Sequence, residues 1–493
     1  MKKYVFSACI LLFALGSCQL NETVYSSIAE NNFYKTASDA EAGLTAVYGA
    51  LGDLYSGPSP LMIADFSADQ VYPRPVVGRN TYTLYSYDPN YTTAKSFGRA
   101  FESPLDVWQN CYRGIERANW VIDRVPSIAM ETTRRDQIVA EAYFLRAFFH
   151  WMLAKNFGSV PIKTNPTLSE ADAYTPKSEL ADVYTQIYND LEKAEAALPS
   201  YSAAIPTGRP SLEVAAALHA KAALYDQKWP VALQKAQEVI NSGKYKLLPD
   251  VQQVYGAANE QVGRAENMWA FESESVSGGR SSQIMSLYGP RNSDGPEYGK
   301  SSFGSIFAYQ AFFDSFEAND KRRQLLDTNY INVQGKVVHQ KDITPVTTQG
   351  VLVKKYQDPN SNGGSAAANI PILRMADVYL IAAEAEAHLN GATTTAYQYI
   401  NIVRARAGLD DLAEGLSQDA FIDAVLQERS WEFFAEGDRW YDLTRTNKFL
   451  TVIPAAVNSV FPVRTLLAKH KYFPIPQDEI NANPRIEQNP DWK

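Results

Sequence analysis

Apolar residues recur at intervals of three and four along much of the chain, a spacing that places them on one face of an α-helix. The pattern predicts helices near residues 38–54, 103–124, 134–155, 179–198, 212–226, 230–242, 374–390 and 394–407. Ser38 and Glu41 have the spacing of a capping box that starts the first helix. The helices follow one another in pairs, so the sequence predicts a mainly α fold.

The segment 374–407 is 34 residues long and rich in alanine, which lets two helices approach closely. That length and composition are those of a tetratricopeptide (TPR) unit. The other pairs match the repeat more loosely. We predict up to four TPR-like pairs that form a right-handed helical scaffold, a type of structure that binds partners along a packed surface.

Two long regions, 56–101 and about 256–311, lack helical periodicity and are rich in Gly, Pro, Ser, Asn and aromatic residues. Loops of this length in a compact domain are usually functional or disordered, and the density of aromatic residues argues against disorder. We therefore predict that these irregular, partly β loops form the ligand face of the protein.

Carbohydrate or peptide binding fits the composition of these loops. An aromatic plane contacts the C–H face of a sugar ring, while Arg and Asn side chains bind its hydroxyl groups. For any single ring, packing against the scaffold is the competing interpretation. The loops lack Trp between 56 and 101 and between 270 and 311, so they do not specify one glycan. The predicted ligand-binding residues are Tyr72, Arg74, Arg79, Tyr91, Tyr288, Arg291, Asn292 and Tyr298.

The stretch 428–445, ERSWEFFAEGDRWYDLTR, interleaves aromatic and charged residues. We predict a helix that Gly437 stops and a second short helix that Asp438 caps. Charges among buried rings need partners, because an isolated buried ion costs several kcal/mol, on the order given for desolvated charges. The sequence therefore predicts buried ion pairs of Glu428, Glu432 and Glu436 with Arg429, Arg439 or Arg445. A catalytic carboxylate pair is the alternative.

Residues 1–17 have the pattern of an export signal, with two lysines followed by an apolar run that is shorter than the about 20 residues needed to span a bilayer. The sequence Leu15-Gly16-Ser17-Cys18 resembles a bacterial lipobox, so we predict that Cys18 carries lipid and anchors the protein to a membrane. Residues 18–37 are polar and are predicted to be a tether.

Removal of the signal leaves 44 Lys and Arg residues against 55 Asp and Glu residues, and no basic run exceeds two or three residues. This composition excludes a nucleic-acid partner. Cys111, the cysteine outside the signal and the lipobox, is predicted to be a core residue.

The five histidines lack metal-ligand spacing, and no nucleophile motif occurs, so no metal, no cofactor and no catalytic residue is predicted. Asp358, Asn360 and Asn362 imitate the start of a calcium loop, but turn chemistry explains them better. The sequence alone leaves open a glycosidase pair drawn from Glu272, Glu274, Asp294 and Glu297.

The chain resembles the RagB/SusD family at five segments in family order. They are the stretch 428–445, residues 371–386 (PILRMADVYLIAAEAE), 471–492 (KYFPIPQDEINANPRIEQNPDW), 140–161 (AEAYFLRAFFHWMLAKNFGSVP) and 312–323 (FFDSFEANDKRR). The resemblance implies one SusD-like domain over residues 38–493, with an N-terminal helical part at 38–255 and a C-terminal part at 256–493.

The resemblance also implies a role. Members of this Bacteroidetes family are surface lipoproteins of the outer membrane that capture nutrients and partner SusC-like TonB-dependent β-barrel transporters. We therefore expect a non-catalytic protein that binds an oligo- or polysaccharide and delivers it to such a transporter. The alternatives are a family member that captures peptides and a helical-repeat scaffold whose main ligand is a protein.

Overall fold

The computed structural model describes residues 33–76, 78–91, 102–275, 280–294, 298–458, 460–461 and 466–493. Its structure is mainly helical, as the sequence predicts. The helices are α1 (Ala37–Ser56), α2 (Ser59–Asp65), α3 (Pro104–Arg124), α4 (Thr132–Phe157), α5 (Glu170–Ala173), α6 (Leu180–Ala197), α7 (Leu212–Tyr225), α8 (Trp229–Ser242), α9 (Glu260–Gly263), α10 (Ile284–Tyr288), α11 (Gln310–Asp314), α12 (Met375–Asn390), α13 (Thr394–Ala407), α14 (Gln418–Glu432), α15 (Arg439–Arg445), α16 (Phe449–Asn458) and α17 (Gln477–Ala482).

The long helices pack in an unbroken series. Helix α1 lies against α3, α3 against α4, α4 against α6, α6 against α7, α7 against α8, α8 against α12, and α12 against both α13 and α14. Buried alanine and leucine residues line the contact faces of α7 and α12, which lets the helices approach closely. The predicted helix pairs are therefore all present, and each pair packs on the next.

Two predictions about the N-terminal part of the chain are wrong. The capping box of α1 lies two residues earlier than predicted and uses Thr36 and Asp39 rather than Ser38 and Glu41. The region 56–101, predicted to be irregular, contains α2, all seven residues of which are buried. Seven residues are too few to show helical periodicity, and packing on α3 rather than a sequence pattern accounts for this helix.

The strands are short and pair two at a time. They are β1 (Val71–Pro73), β2 (Asn267–Phe271), β3 (Ile306–Ala308), β4 (Leu326–Asp327), β5 (Asn329–Ile331), β6 (Val337–His339), β7 (Leu352–Val353) and β8 (Ile370–Arg374). The antiparallel pairs are β1 with β3, β2 with β8, β4 with β7 and β5 with β6. The β1–β3 pair joins the two predicted ligand loops, with Val71 opposite Ala308.

Buried ion pairs do form around the stretch 428–445, but their partners differ from the predicted ones. Glu432 binds Arg374, at 2.9 Å, and Arg406. Glu428 binds Arg322 at 2.6 Å, and Glu436 binds Arg374 at 2.8 Å. Burial alone would raise the pKa of Glu432, but the neighbouring guanidinium groups hold it well below its usual range.

The arginines of the stretch bind carboxylates that sequence analysis did not select. Arg429 binds Asp377 at 2.6 Å and Asp442 at 2.8 Å. Arg439 binds Asp69 at 2.8 Å, and Arg445 binds Glu384. The helix predicted to stop at Gly437 ends earlier, at Glu432, and the backbone at Ala435 already has a φ of +60°. Asp438 precedes α15 but does not cap it, because its carboxylate accepts a hydrogen bond from Lys221 at 2.9 Å. The stretch thus ties together helices that lie far apart in the sequence.

None of the described helices has both the length and the apolar composition needed to cross a bilayer. The export signal and Cys18 lie outside the described residues, so the predictions for them stay predictions.

Candidate functional site

The two predicted ligand loops meet at the β1–β3 pair. The backbone N–H of Arg74, the residue after β1, donates to the carbonyl of Ser305 at 2.7 Å. Gly304 has a φ of +56°, and a side-chain carbon there would lie 2.8 Å from the Cβ of Arg291. Glycine is therefore required for this close approach. The result places Arg74 and Arg291, which are 217 positions apart in the sequence, on neighbouring backbone segments. We call the surface formed by Arg74, Arg291, Asn292 and Phe303 the loop face.

The four predicted tyrosines are buried and do not belong to this surface. The exposed fractions of Tyr72, Tyr91, Tyr288 and Tyr298 are 2%, 0%, 1% and 4%. The four rings pack against the rest of the protein, as the competing interpretation holds, and none of them presents a ring face to solvent.

These tyrosines fasten the loops to the scaffold. The hydroxyl of Tyr288 donates to Asp65 at 2.9 Å, and that of Tyr91 donates to the carbonyl of Pro474 at 2.9 Å. The ring of Tyr72 packs on that of Tyr309, with centroids 4.7 Å apart. A buried tyrosine hydroxyl needs such a partner; Asp65 supplies one for Tyr288, and the C-terminal segment supplies one for Tyr91.

Arg79 is also buried. Its guanidinium donates to both oxygens of Glu102, at 2.7 and 2.5 Å, in a bidentate ion pair. Two buried groups of opposite charge that satisfy each other have little capacity left for a ligand. Arg79 therefore holds the loop that follows β1.

Three of the predicted residues do reach solvent at one place. Arg291 and Asn292 are exposed, and Arg74 is half-buried. Asn292 has a φ of +57°; its backbone N–H donates to Ser302 at 3.1 Å, and its carbonyl accepts from Val333 at 3.2 Å. Asn is one of the residues that tolerate this conformation, and its side chain stays free of the backbone pairing.

The charge of the loop face is unbalanced. Within the described part of the chain, neither Arg74 nor Arg291 makes an ion pair, and the buried Nε of Arg74 has no hydrogen-bond acceptor. Partial burial, together with the charges of Arg291 and Arg79, lowers the pKa of Arg74 below its ordinary value. The site therefore presents two guanidinium groups with unused donors.

One aromatic side chain belongs to this surface. Among the aromatic residues described within 56–101 and 256–311, Phe303 is the one that is not buried. It lies between Ser302, which pairs with Asn292, and Gly304, which contacts Arg291. Sequence analysis did not select Phe303 as a site residue, because burial, not residue type, distinguishes it from its neighbours.

A second concavity was not predicted at all. It has a volume of about 350 Å³, within the range of about 300 to 1,000 Å³ that small-molecule pockets occupy. Tyr201, Arg209, Arg264, Trp269 and Glu272 are among its lining residues. In the sequence, the feature that could have indicated this concavity is the Pro-, Gly- and Ser-rich segment between α6 and α7.

Glu272 in this concavity has an unusual environment. Burial first, and then the charge of Glu260, raise its pKa to about 7, although Asn369 donates a hydrogen bond to it at 2.6 Å. Of the other glycosidase candidates, Glu274 is exposed, Asp294 is half-buried, and Glu297 lies outside the described residues.

The chain matches two family models. The "SusD family" model matches residues 326–492, and the model described as "Starch-binding associating with outer membrane" matches residues 22–224. Among curated relatives, a SusD-like protein of Formosa agariphila is 28% identical over 98% of this chain and 96% of its own. The starch-binding protein SusD of Bacteroides thetaiotaomicron is 25% identical over 77% of each chain.

Solved structures show the same fold. A laminarin-binding SusD-like protein superposes with a TM-score of 0.77 and 24% identity, covering 93% of this chain and all of that one. Surface glycan-binding protein A of Bacteroides thetaiotaomicron, in complex with laminarihexaose, superposes with a TM-score of 0.75 and 21% identity over 92% of this chain and all of that one. With the family models at both ends and relatives that match along its whole length, the chain belongs to the SusD-like family.

Proposed function

We propose that this protein is a non-catalytic lipoprotein of the outer-membrane surface that binds an oligo- or polysaccharide and delivers it to a SusC-like TonB-dependent transporter. The observation that carries the proposal is the similarity, over about three quarters of the chain or more, to proteins whose names state glycan binding. These names specify starch for a relative at 25% identity and laminarin for a structure of the same fold. The lipid anchor on Cys18 and the transporter partner follow from the sequence pattern and the family resemblance.

The loop face is our candidate for the ligand site. Arg74 and Arg291 offer guanidinium donors, Asn292 offers an amide, and Phe303 offers a partly exposed ring. A sugar needs this combination, because it presents hydroxyl groups at its edge and C–H groups on its face. One ring contributes about 0.5–1.5 kcal/mol beyond its buried area, and each charged hydrogen bond about 1.5–3 kcal/mol. Contacts of this number fit micromolar to millimolar affinity, which permits release to a transporter.

Glycan capture is tested with soluble protein that begins at Gln19 and so lacks the lipid. Its migration in gels that contain plant, host or microbial polysaccharides is compared with binding of mixed peptides. We expect retardation by at least one glycan class and weaker retardation for Phe303→Ala. Arg124→Ala, at the exposed end of α3, is the matched control and retains full binding. Folded protein that binds no glycan refutes the proposal, and binding of peptides alone favours the peptide-capturing alternative.

Delivery is tested separately with the full-length protein in its own outer membrane. After mild detergent extraction, we expect a TonB-dependent transporter to co-purify with the lipidated protein. A protein that is extracted intact and carries no transporter refutes the delivery step and leaves glycan capture unaffected.

A further inference from the structure

The loop face differs from the other arginine-rich parts of this protein in one respect. Arg79, Arg322, Arg374 and Arg429 all bind carboxylates within 4 Å. Arg74 and Arg291 have no such partner within the described residues, although their backbone segments adjoin. Two like charges side by side are unfavourable unless something compensates them.

The acidic groups described around the two arginines do not supply that compensation. Asp294 follows Arg291 by three residues and is half-buried, yet it makes no ion pair with either arginine. Glu102, the carboxylate beneath the loop, is already bound by both nitrogens that Arg79 directs at it. Within the described part of the chain, the buried Nε of Arg74 has no acceptor, and a buried donor without a partner is unfavourable.

An anionic ligand supplies what is missing. A carboxylate or sulfate group accepts two parallel hydrogen bonds from a guanidinium with two of its oxygens, an arrangement that a neutral hydroxyl group cannot reproduce. Resting on the glycan capture proposed above, we infer that the loop face selects anionic glycans, with uronate carboxylates or sulfate esters bound by Arg74 and Arg291. Asn292 then binds a neighbouring hydroxyl group, and the ring of Phe303 contacts the sugar face.

The overall charge of the protein confines this attraction to the loop face. The whole chain carries a net charge of −9, so an anionic polymer is repelled by most of its surface. A small positive surface on an acidic protein therefore concentrates such a polymer at one place. The attraction is electrostatic at an exposed site, and it weakens as salt shortens the Debye length from about 10 Å at 0.1 M to about 3 Å at 1 M.

The experiment uses four defined probes with the soluble protein. Oligogalacturonate carries carboxylates and chondroitin sulfate carries sulfate esters as well, while laminarin and starch oligosaccharides are neutral. Affinities are measured by calorimetry at 0.05 and 0.5 M NaCl. We expect at least one anionic probe to bind at least tenfold more tightly than either neutral probe at low salt, with the advantage lost at high salt. Binding of oligogalacturonate identifies carboxylate as sufficient, and binding of chondroitin sulfate alone identifies sulfate.

Three variants locate the interaction. Arg291→Gln removes the charge and the guanidinium fork but keeps a polar side chain with an amide donor, and we expect at least a tenfold loss of affinity for the anionic probe. Arg291→Lys keeps the charge without the planar fork and recovers part of that affinity. Arg124→Gln removes an exposed arginine at the end of α3 and leaves the affinity within twofold. Arg291 is exposed, so folding is preserved in its variants, which circular dichroism verifies.

The possible failures are distinct. If the protein binds only neutral glycans, the inference about charge is overturned and glycan capture stands. If Arg291→Gln and Arg124→Gln weaken anionic binding equally, the loop face is not the site. If no glycan of any kind binds, the proposed function itself fails.

Discussion

Replacement of Arg374 by methionine is the sharpest test of how this fold is held together. The guanidinium of Arg374, 1% exposed, binds Glu266, Glu432 and Glu436 at 2.8–2.9 Å. Methionine fills much of the same volume but leaves three buried carboxylates with fewer cations. Breaking a buried pair by removing one partner costs about 3–5 kcal/mol.

The charge balance of the whole cluster supports that magnitude. The cluster contains five cationic and six carboxylate side chains, and Arg374→Met leaves four cationic side chains for the same six carboxylates. The cations are Arg322, Lys355, Arg374, Arg404 and Arg406, and the carboxylates are Asp320, Glu266, Glu317, Glu428, Glu432 and Glu436.

The assay is urea unfolding of the soluble protein, followed by the fluorescence of its eight tryptophans. With a denaturant dependence of about 3 kcal/mol/M, a loss of about 4 kcal/mol lowers the unfolding midpoint by about 1.3 M. Arg374→Met combined with Glu436→Gln removes one of the unpaired charges and should recover part of the loss. Arg124→Met, at an exposed arginine, should change the free energy of unfolding by less than about 0.5 kcal/mol. A loss below about 1 kcal/mol for Arg374→Met refutes the view that these carboxylates depend on it.

Three further predictions concern pH, helix packing and the membrane anchor. Burial lowers the pKa of His150 to about 4, below its ordinary 6.5. The neutral His150 therefore contributes fully to the free energy of unfolding above about pH 6.5, and this contribution is lost as the pH falls through 4. In His150→Gln, the free energy of unfolding should fall by about 3 kcal/mol less than in the wild type over that pH range. A side-chain carbon at Gly114 would overlap the ring of Phe149, so Gly114→Ala should lower the free energy of unfolding in urea by about 1–3 kcal/mol. A side-chain carbon at Gly49 would lie 3.4 Å from its nearest neighbour, Arg117, so Gly49→Ala should raise the free energy of unfolding by about 0.5–1 kcal/mol through helix propensity. Cys18→Ser should abolish labelling by a fatty-acid analogue and move the protein out of the membrane fraction.

Each of these predictions has an outcome that contradicts it. Equal pH slopes for the wild type and His150→Gln would show that this histidine is not neutral in the folded state. If Phe149→Leu restores the stability lost in Gly114→Ala, the overlap with the Phe149 ring is confirmed. Equal stabilities of Gly114→Ala and Gly49→Ala would exclude that overlap. Persistent membrane association of Cys18→Ser would require an anchor elsewhere.

The scaffold was predictable because long helices repeat their apolar positions many times. Residues 374–407, for example, carry enough turns to predict both α12 and α13 within one residue of their observed bounds. The need for buried ion pairs was predictable too, since a glutamate among buried rings requires a cation. The partner was not, because the sequence shows that Glu432 needs an arginine but not that Arg374 and Arg406 are the ones the fold brings to it.

The loop face was predictable only in part, because residue type does not determine exposure. Tyrosine has an apolar ring and a polar hydroxyl, so it suits a sugar platform and a buried position equally well. Tyr288 is buried because Asp65 lies within reach of its hydroxyl, a contact across 223 positions of the chain. Arg291 and Asn292 belong to the same loop and reach solvent. This difference arises from tertiary packing, which no local pattern contains.

The contacts that residues 56–101 make with the C-terminal segment also constrain the order in which the protein folds. Asp65 accepts from the N–H of Gly437, Gln70 donates to the carbonyl of Ser430, and Tyr91 donates to that of Pro474. Each contact joins the first hundred residues to the last sixty-five or so, across separations of 372, 360 and 383 residues in that order, so each closes a very long loop. The N-terminal helices can pair as soon as they exist, but their ligand loop has nothing to close against until the C-terminal segment arrives. We therefore expect the ordering of residues 56–101 to be a late event in folding, which occurs only after the C-terminal segment is available.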